Sequence, residues 1–319
     1  MKLDDWRNLP STAMTPVYEA ERLRWAHSLQ WDLAPTLRTL ERARADGTLP
    51  GLVVRGPGQS VVGWSYFLVQ HGVLQVGALH ARTADGVRLL LDAIFKTPEA
   101  SLAHEALLFV YPDSPACESA LQRRRFAVTR YWYMRRMIDR SCVAATDPRL
   151  QPMRDLDGPD VVRLLSRAYA GVPAARCFAP HGRIDEWAQY LSQLTHGTAL
   201  GRLVAEASLV APGDQPGRLH GAAVVTDLSA STLHLAQLAV DPGARRGGLG
   251  ARMLDAMLAF GLTRQRSVAT LLVSEDNLPA RALYDARGFV PTGYFLHAER
   301  PLGRRVLTPT VPSVSRVSA

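Results

Sequence analysis

The chain has 319 residues, 47% of them apolar, and a formal net charge of +8. That length leads us to expect two domains with ordinary cores. Cys117, Cys142 and Cys177 are an odd number without C-x-x-C spacing, which argues against a disulfide framework or a zinc site and for a reducing, cytoplasmic setting. No apolar run reaches membrane-spanning length, and the N-terminus lacks a signal-peptide hydrophobic region, so no membrane association is expected. The basic residues are spread along the chain, with one dense run at Arg123-Arg124-Arg125, and lysine occurs only at Lys2 and Lys96. This pattern argues against nucleic acid as a partner.

In chain order, helices are expected around 19–29 and 33–45, strands over 52–55, 61–70 and 73–79, a helix over 87–95 and a strand over 106–111. A short helix at 118–125 and a strand at 127–137 complete a first domain, residues 1–140, with a linker near 139–147. A second domain, 148–302, repeats this order: a strand near 150–153, helices at 158–169 and 184–194, and strands at 202–210, 219–227 and 233–240. A helix at 249–262, a strand at 268–274, a helix at 279–287 and a strand at 289–297 follow, then a loose tail over 303–319.

The halves align without a gap over their C-terminal parts at an offset of 163 residues, as between Leu91-Asp92-Ala93 and Leu254-Asp255-Ala256. Arg82 and Arg245, Val110 and Val273, Phe126 and Phe289, and Val61-Val62 and Val224-Val225 fall at the same offset. Several matches at one offset imply a duplicated fold.

The most informative stretch is Asp241-Pro-Gly-Ala-Arg-Arg-Gly-Gly-Leu-Gly250, which joins an apolar strand to an apolar-periodic helix. Free backbone N–H groups and the positive end of the helix dipole meet there. Gly247, Gly248 and Gly250 remove side chains that would shield those amides, and Arg245 and Arg246 add cationic donors, so the expected ligand is a pyrophosphate or similar anion. The stretch lacks the Lys-Ser/Thr of a P-loop and the G-x-G-x-x-G dinucleotide spacing.

Arg245-x-x-Gly248-x-Gly250, after Leu238-Ala239-Val240-Asp241-Pro242, resembles the R-x-x-G-x-G acyl-CoA loop of the GNAT superfamily of N-acetyltransferases. A second motif of that family follows as Asn277-x-x-Ala280-x-x-Leu283-Tyr284-x-x-x-Gly288-Phe289. The resemblance implies an α/β (α+β) fold of two tandem GNAT-like domains, each a mixed, mostly antiparallel sheet flanked by helices. It implies transfer of an acetyl group from acetyl-CoA, as co-substrate, to an amine on a small molecule or peptide by direct attack in a ternary complex, with no metal.

In that family the strand ending at Val240 splays from its neighbour, so that backbone groups at Leu238 and Val240 meet the pantetheine arm. The amides of Arg246, Gly247, Gly248, Leu249 and Gly250 take the pyrophosphate, and Asn277 holds the arm or caps its own helix. Tyr284 is the candidate acid for the leaving thiolate; a tyrosine packed in the core is the other reading of it. His234 is the candidate base, expected on the same strand face as Ala236, Leu238 and Val240, with Glu275 and Glu206 in reserve. A structural histidine, opposite His220, is the competing reading. The acceptor is expected near 171–183, where Arg176, His181 and Arg183 are candidates against solvated loop charges.

At the 163 offset Gly248 becomes Asp85, Gly250 becomes Val87, Asn277 becomes Ser114, Tyr284 becomes Leu121 and Gly288 becomes Arg125, which marks the first copy as degenerate. The tandem layout is also similar to that of the mycothiol synthases within the superfamily, with no motif specific to that substrate visible. The rival reading is a non-catalytic acyl-CoA-binding or scaffold protein. It would keep the loop but need neither Tyr284 nor His234. Oligomeric state, acyl group and acceptor identity stay open.

Overall fold

A computed structural model describes residues 1–81, 83–143, 147–196 and 200–303. The first half runs β1 (Lys2–Asp5), α1 (Ser11–Leu29), α2 (Ala34–Ala45), β2 (Gly51–Arg55), β3 (Val61–Gln70), β4 (Val73–Ala81), α3 (Ala84–Ile94), α4 (Pro98–Ser101), β5 (Glu105–Val110), α5 (Pro115–Arg123) and β6 (Ala127–Met137). The second half runs β7 (Gln151–Pro152), α6 (Gly158–Ala168), α7 (Ile184–His196), β8 (Arg202–Leu203), β9 (Leu209–Pro212), β10 (Leu219–Ser229), β11 (Thr232–Val240), α8 (Leu249–Thr263), β12 (Val268–Ser274), α9 (Leu278–Asp285) and β13 (Val290–Pro301). The expected strand over 202–210 is instead two short pieces, because a turn at Ala205–Ala207 folds the chain back between them. The edge strand β1, too polar to show apolar alternation, went unforeseen.

All strands join one continuous sheet in the order β1-β2-β3-β4-β5-β13-β6-β12-β11-β10-β9-β7, with β8 beside β10. Pairing is antiparallel except for β4 with β5 and β11 with β12. The last strand of each half crosses over: β6 pairs with β12, while β13 pairs with β5 and with β6. The fold is therefore mixed α/β with a mostly antiparallel sheet, and the two halves are stitched through their final strands.

Each half places its counterpart helices on the same side. In the second half, Leu249, Met253, Leu254, Met257 and Leu258 fall on one stripe of α8 and pack with Leu235, Val225 and Leu271 of the sheet. Burial of each such side chain contributes about 1.5–3 kcal/mol. Val161, Leu164, Leu165, Trp187 and Leu191 of α6 and α7 cover the opposite face over Val224 and Ala239. An aromatic cluster at the seam, with Trp31, Tyr131, Tyr133 and Phe295, joins the halves.

The internal repeat is visible in detail, with one correction. The Arg124–Asp92 ion pair recurs as Arg287–Asp255, so the 163 offset holds from α3 onward. Before it the register differs. The β3–β4 bulge lies between Tyr66 and Phe67 and its counterpart in β10–β11 lies between Val224 and Val225, 158 residues on. The match of Val61-Val62 with Val224-Val225 was coincidental. The change comes at the phosphate loop: β4 ends at Ala81 and α3 starts at Ala84, whereas β11 ends at Val240 and α8 starts at Leu249. Arg82, aligned with Arg245, lies outside the described residues.

Candidate active site

Strand β11 carries the site. Its parallel pairing with β12 runs only from Thr232–Val268 to Leu235–Leu271, although both strands continue, so they part beyond Leu235. The cause is a bulge at Ala236: Leu235 faces Val225 and Gln237 faces Val224 across β10, leaving Ala236 extra. The bulge also reverses the side-chain alternation. His234 shares its face with Gln237 and Ala239, while Leu238 and Val240 join Leu235 on the α8 side. The expectation that His234, Ala236, Leu238 and Val240 share a face is corrected accordingly, because simple periodicity does not survive an inserted residue.

Past Val240 the loop is held from below. Asp241 accepts from Gly243 N–H at 3.1 Å and pairs with Arg167 at 3.0 Å. Burial raises its carboxyl pKa, but the Gly243 N–H and the arginines outweigh that and leave it lowered. Arg245 donates to Val240 O at 3.2 Å and to Ala168 O at 2.7 Å, so its guanidinium braces the loop against the end of α6. Arg252 holds Gly247 O at 2.7 Å and Asp147 at 2.7 Å.

Gly248 caps α8 at φ 74°, a left-handed conformation, without any side-chain cap. No acceptor for the N–H groups of Arg246, Gly247, Gly248, Leu249 or Gly250 is found among the described residues. A Cβ on Gly250 would meet only ordinary contacts at 3.6–3.8 Å from Val240, Leu283 and Leu238, and one on Gly247 only Ala244 O at 3.8 Å. Packing therefore does not demand glycine at either position; a ligand resting on these amides would. Leu249 turns its side chain into the core.

On the far strand, Asn277 Oδ1 accepts from Ala280 N–H at 3.3 Å and caps α9. Tyr284 is buried beside Phe289, with its hydroxyl given no hydrogen bond among the described residues. Burial, with the Tyr169 phenol nearby, raises its pKa above the usual tyrosine range. It is a proton donor at neutral pH.

His234 is 3% exposed and burial pushes its pKa down to about 3, so the imidazole is neutral. Its Nδ1 lies 3.0 Å from Thr270 Oγ1, and that hydroxyl is 3.3 Å from Leu233 O. With the hydroxyl proton given to the carbonyl, Nδ1–H donates and Nε2 carries the free lone pair. Across β10 its partner is Thr226; the pairing with His220 is not present.

Three side chains on this face escaped the sequence reading. Gln237 Oε1 accepts from Tyr169 O–H at 2.8 Å, and its Nε2 donates to Tyr190 Oη at 2.9 Å. Only the bulge brings Gln237 to the histidine's side, and no sequence signal located it. The loop candidates are otherwise engaged: Arg176 with Glu105 and Glu299, His181 with Glu186, Arg183 with Asp185. Glu275 accepts from Arg130 N–H at 2.9 Å, and Glu206 is exposed in its turn.

A parted parallel strand pair and an uncapped glycine loop at a helix N-terminus, with a phenol and an imidazole on opposite faces, make up the candidate site. The family model for the acetyltransferase (GNAT) family matches residues 169–289. A curated relative, mycothiol acetyltransferase of Beutenbergia cavernae, is 28% identical over 271 residues, 78% of this chain and 82% of the relative. Among solved structures, a GCN5-related N-acetyltransferase from Sphaerobacter thermophilus superposes with TM-score 0.59 at 15% identity, covering 79% of this chain and 80% of the other. A tandem GNAT protein from the clavulanic acid biosynthesis pathway gives 0.55 at 18%, covering 79% and 82%. Residues 169–289 thus carry an acetyltransferase (GNAT) family domain, which supports N-acetyltransferase activity; GNAT acetyltransferases use acetyl-CoA as co-substrate.

Proposed function

We propose that residues 148–302 form the catalytic unit and residues 1–140 a degenerate copy without a CoA site. In this reading the pyrophosphate of acetyl-CoA lies on the amides of Arg246, Gly247, Gly248, Leu249 and Gly250. Gly248 provides the turn and Arg246, exposed at φ 64°, the nearby charge. The pantetheine arm enters where β11 parts from β12 and pairs with the backbone at Leu238 and Val240. Asn277 keeps that edge in place by fixing the start of α9.

The amine attacks the thioester carbonyl from the His234 face. Its surplus proton passes to His234 Nε2, directly or through water, the C–S bond breaks, and Tyr284 O–H protonates the leaving thiolate. Solvent then reprotonates the phenolate and takes up the proton from His234, which restores both groups. No step calls for a metal. The acceptor is a primary amine on a small molecule or peptide. The mycothiol-type acceptor in the relative's name is the first to test. A reducing, cytoplasmic setting suits three free cysteines, and no helix among the described residues is long and apolar enough to cross a membrane.

The observation that carries this reading is that, among the described residues, the uncapped loop amides and the parted strands occur together only beside β11. Thiol release from acetyl-CoA against a panel of amines tests it. Release with at least one amine, lost in Tyr284→Phe, supports the reading; no amine-dependent release with any member of the panel overturns it.

A further inference from the structure

The imidazole of His234 is roofed by the first half of the chain. The segment joining α1 to α2 lays Trp31 over it, with ring centroids 5.8 Å apart, while Tyr133 of β6 stacks on it at 6.2 Å and 12°. Asp32 N–H donates to Leu228 O at 2.8 Å, and Tyr133 O–H to Leu29 O at 2.7 Å, which pins the segment down. Gln30, which turns the chain out of α1, is a non-glycine residue at φ 54°. Non-glycine residues held in this region cluster at segments that switch.

Beneath this roof several polar groups have no partner among the described residues. Trp31 is 2% exposed, and its Nε1–H finds no acceptor. Thr226, directly opposite His234, and Thr232, two residues before it on the same face, are wholly buried with unpartnered hydroxyls. Buried polar atoms are nearly always satisfied, so three orphans around one imidazole point to a ligand that supplies their partners. An indole N–H can only donate, and a threonine hydroxyl does either, so the ligand must present an oxygen. The side chains that close over His234 from the neighbouring elements (Trp31, Tyr133, Thr226, Thr270) are all uncharged. That favours a neutral oxygen such as a hydroxyl over a carboxylate.

We propose that Trp31 is the gate and a specificity-determining residue of the acceptor site, admitting amines that carry a hydroxyl near the reactive nitrogen. This rests on the acetyl transfer at His234 proposed above. In the acceptor-free protein Trp31 and Tyr133 fill the space over the imidazole. The segment from Gln30 to Leu33 lifts to admit the amine, and the acceptor's oxygen then takes the indole N–H.

The test compares ethanolamine with its isostere propylamine at equal free-amine concentration. In a nitrogen-labelled sample, the indole signals of the six tryptophans are followed, with Trp31 assigned by its loss in Trp31→Phe. Ethanolamine should shift the Trp31 signal and propylamine should not. In turnover, the wild type should favour ethanolamine in KM by about five- to tenfold, the worth of one hydrogen bond. Trp31→Phe should lose that preference. Thr226→Val, which keeps the roof, should lower it as well and serves if Trp31→Phe does not fold. An indole shift without any thiol release would sink the proposed reaction and leave the gate standing. A Trp31 signal that ignores ethanolamine, or moves equally with both amines, overturns the gate.

Discussion

The two parted strand pairs differ in what fills them. Both run four parallel residue pairs, Val73–Glu105 to Val76–Leu108 in the first half and Thr232–Val268 to Leu235–Leu271 in the second, and both part at a bulge. In the first half, Thr83 caps α3 by accepting from Gly86 N–H at 3.1 Å, a side-chain cap that α8 lacks. Helix α1 then closes the gap with its own charges. His80 Nδ1 sits 2.9 Å from Glu21 and 2.7 Å from Asp113, and Arg24 reaches the same two carboxylates at 3.0 and 2.9 Å. Asp113 also accepts from Ala81 N–H at 3.0 Å, at the end of β4. On the proposed reading, one architecture yields a site in one half and a joint in the other, depending on a few residues at the strand ends.

The sharpest way to break this comparison is to count CoA sites. Calorimetry should find one per chain. Gly248→Asp should reduce affinity at least about 100-fold, since it sets a side chain and a like charge against phosphate at a left-handed position. Two sites, or an unaltered affinity in the variant, would remove the distinction between the halves.

A smaller effect is expected at Tyr284, whose counterpart in the first half is Leu121. Tyr284→Phe should lower kcat about 10²-fold, as for loss of a general acid, with the CoA dissociation constant unchanged. A drop in CoA affinity of similar size would make Tyr284 a packing residue.

How much of this was legible beforehand divides along the same line. The element order and the placing of the glycine loop and of the Asn277–Tyr284 motif at helix starts were readable because local periodicity and residue type specify them. The crossing of β6 and β13 was not, since strand partners far apart in sequence leave no local trace. Nor was the bulge at Ala236, although it decides that Gln237 rather than Leu238 accompanies His234. The partners of Arg176 were hidden for a related reason, since Glu105 belongs to a strand of the other half and Glu299 to the exchanged strand, whereas His181 and Arg183 pair locally with Glu186 and Asp185.

His234 sharpens the comparison on the acceptor side. Its imidazole is neutral down to about pH 3, so its help does not vary with its own ionisation near neutrality. His234→Ala should lower kcat/KM by about tenfold, below the usual 10²–10⁴ for a base matched to the working pH. The loss should be parallel between pH 6 and 8, with the slope of both profiles set by the amine. A loss confined to low pH would mean that His234 titrates there after all. An unchanged profile would make it structural.

The smallest effect concerns the joint in the first half. Burial lowers the pKa of His80, but the hydrogen bonds that Asp113 and Glu21 accept from it and their charges outweigh this and raise it to about 9 from 6.5. A histidine whose folded pKa is raised contributes stability that is full below about 6.5 and is lost as pH climbs through 9. Glu21 is held in its charged form by His80 and Arg24 against the burial that opposes it. Asp113→Asn can still accept from Ala81 N–H but removes one of the two charges on His80. It should lower Tm by a few degrees at pH 6, about the shift for 1 kcal/mol. Above pH 9.5, where His80 has lost its proton in the wild type too, the difference should shrink. Acetyl-CoA affinity should not change, because α1 closes the gap in the half that has no uncapped loop. A Tm difference constant from pH 6 to 10 would show that Arg24, not His80, carries the joint.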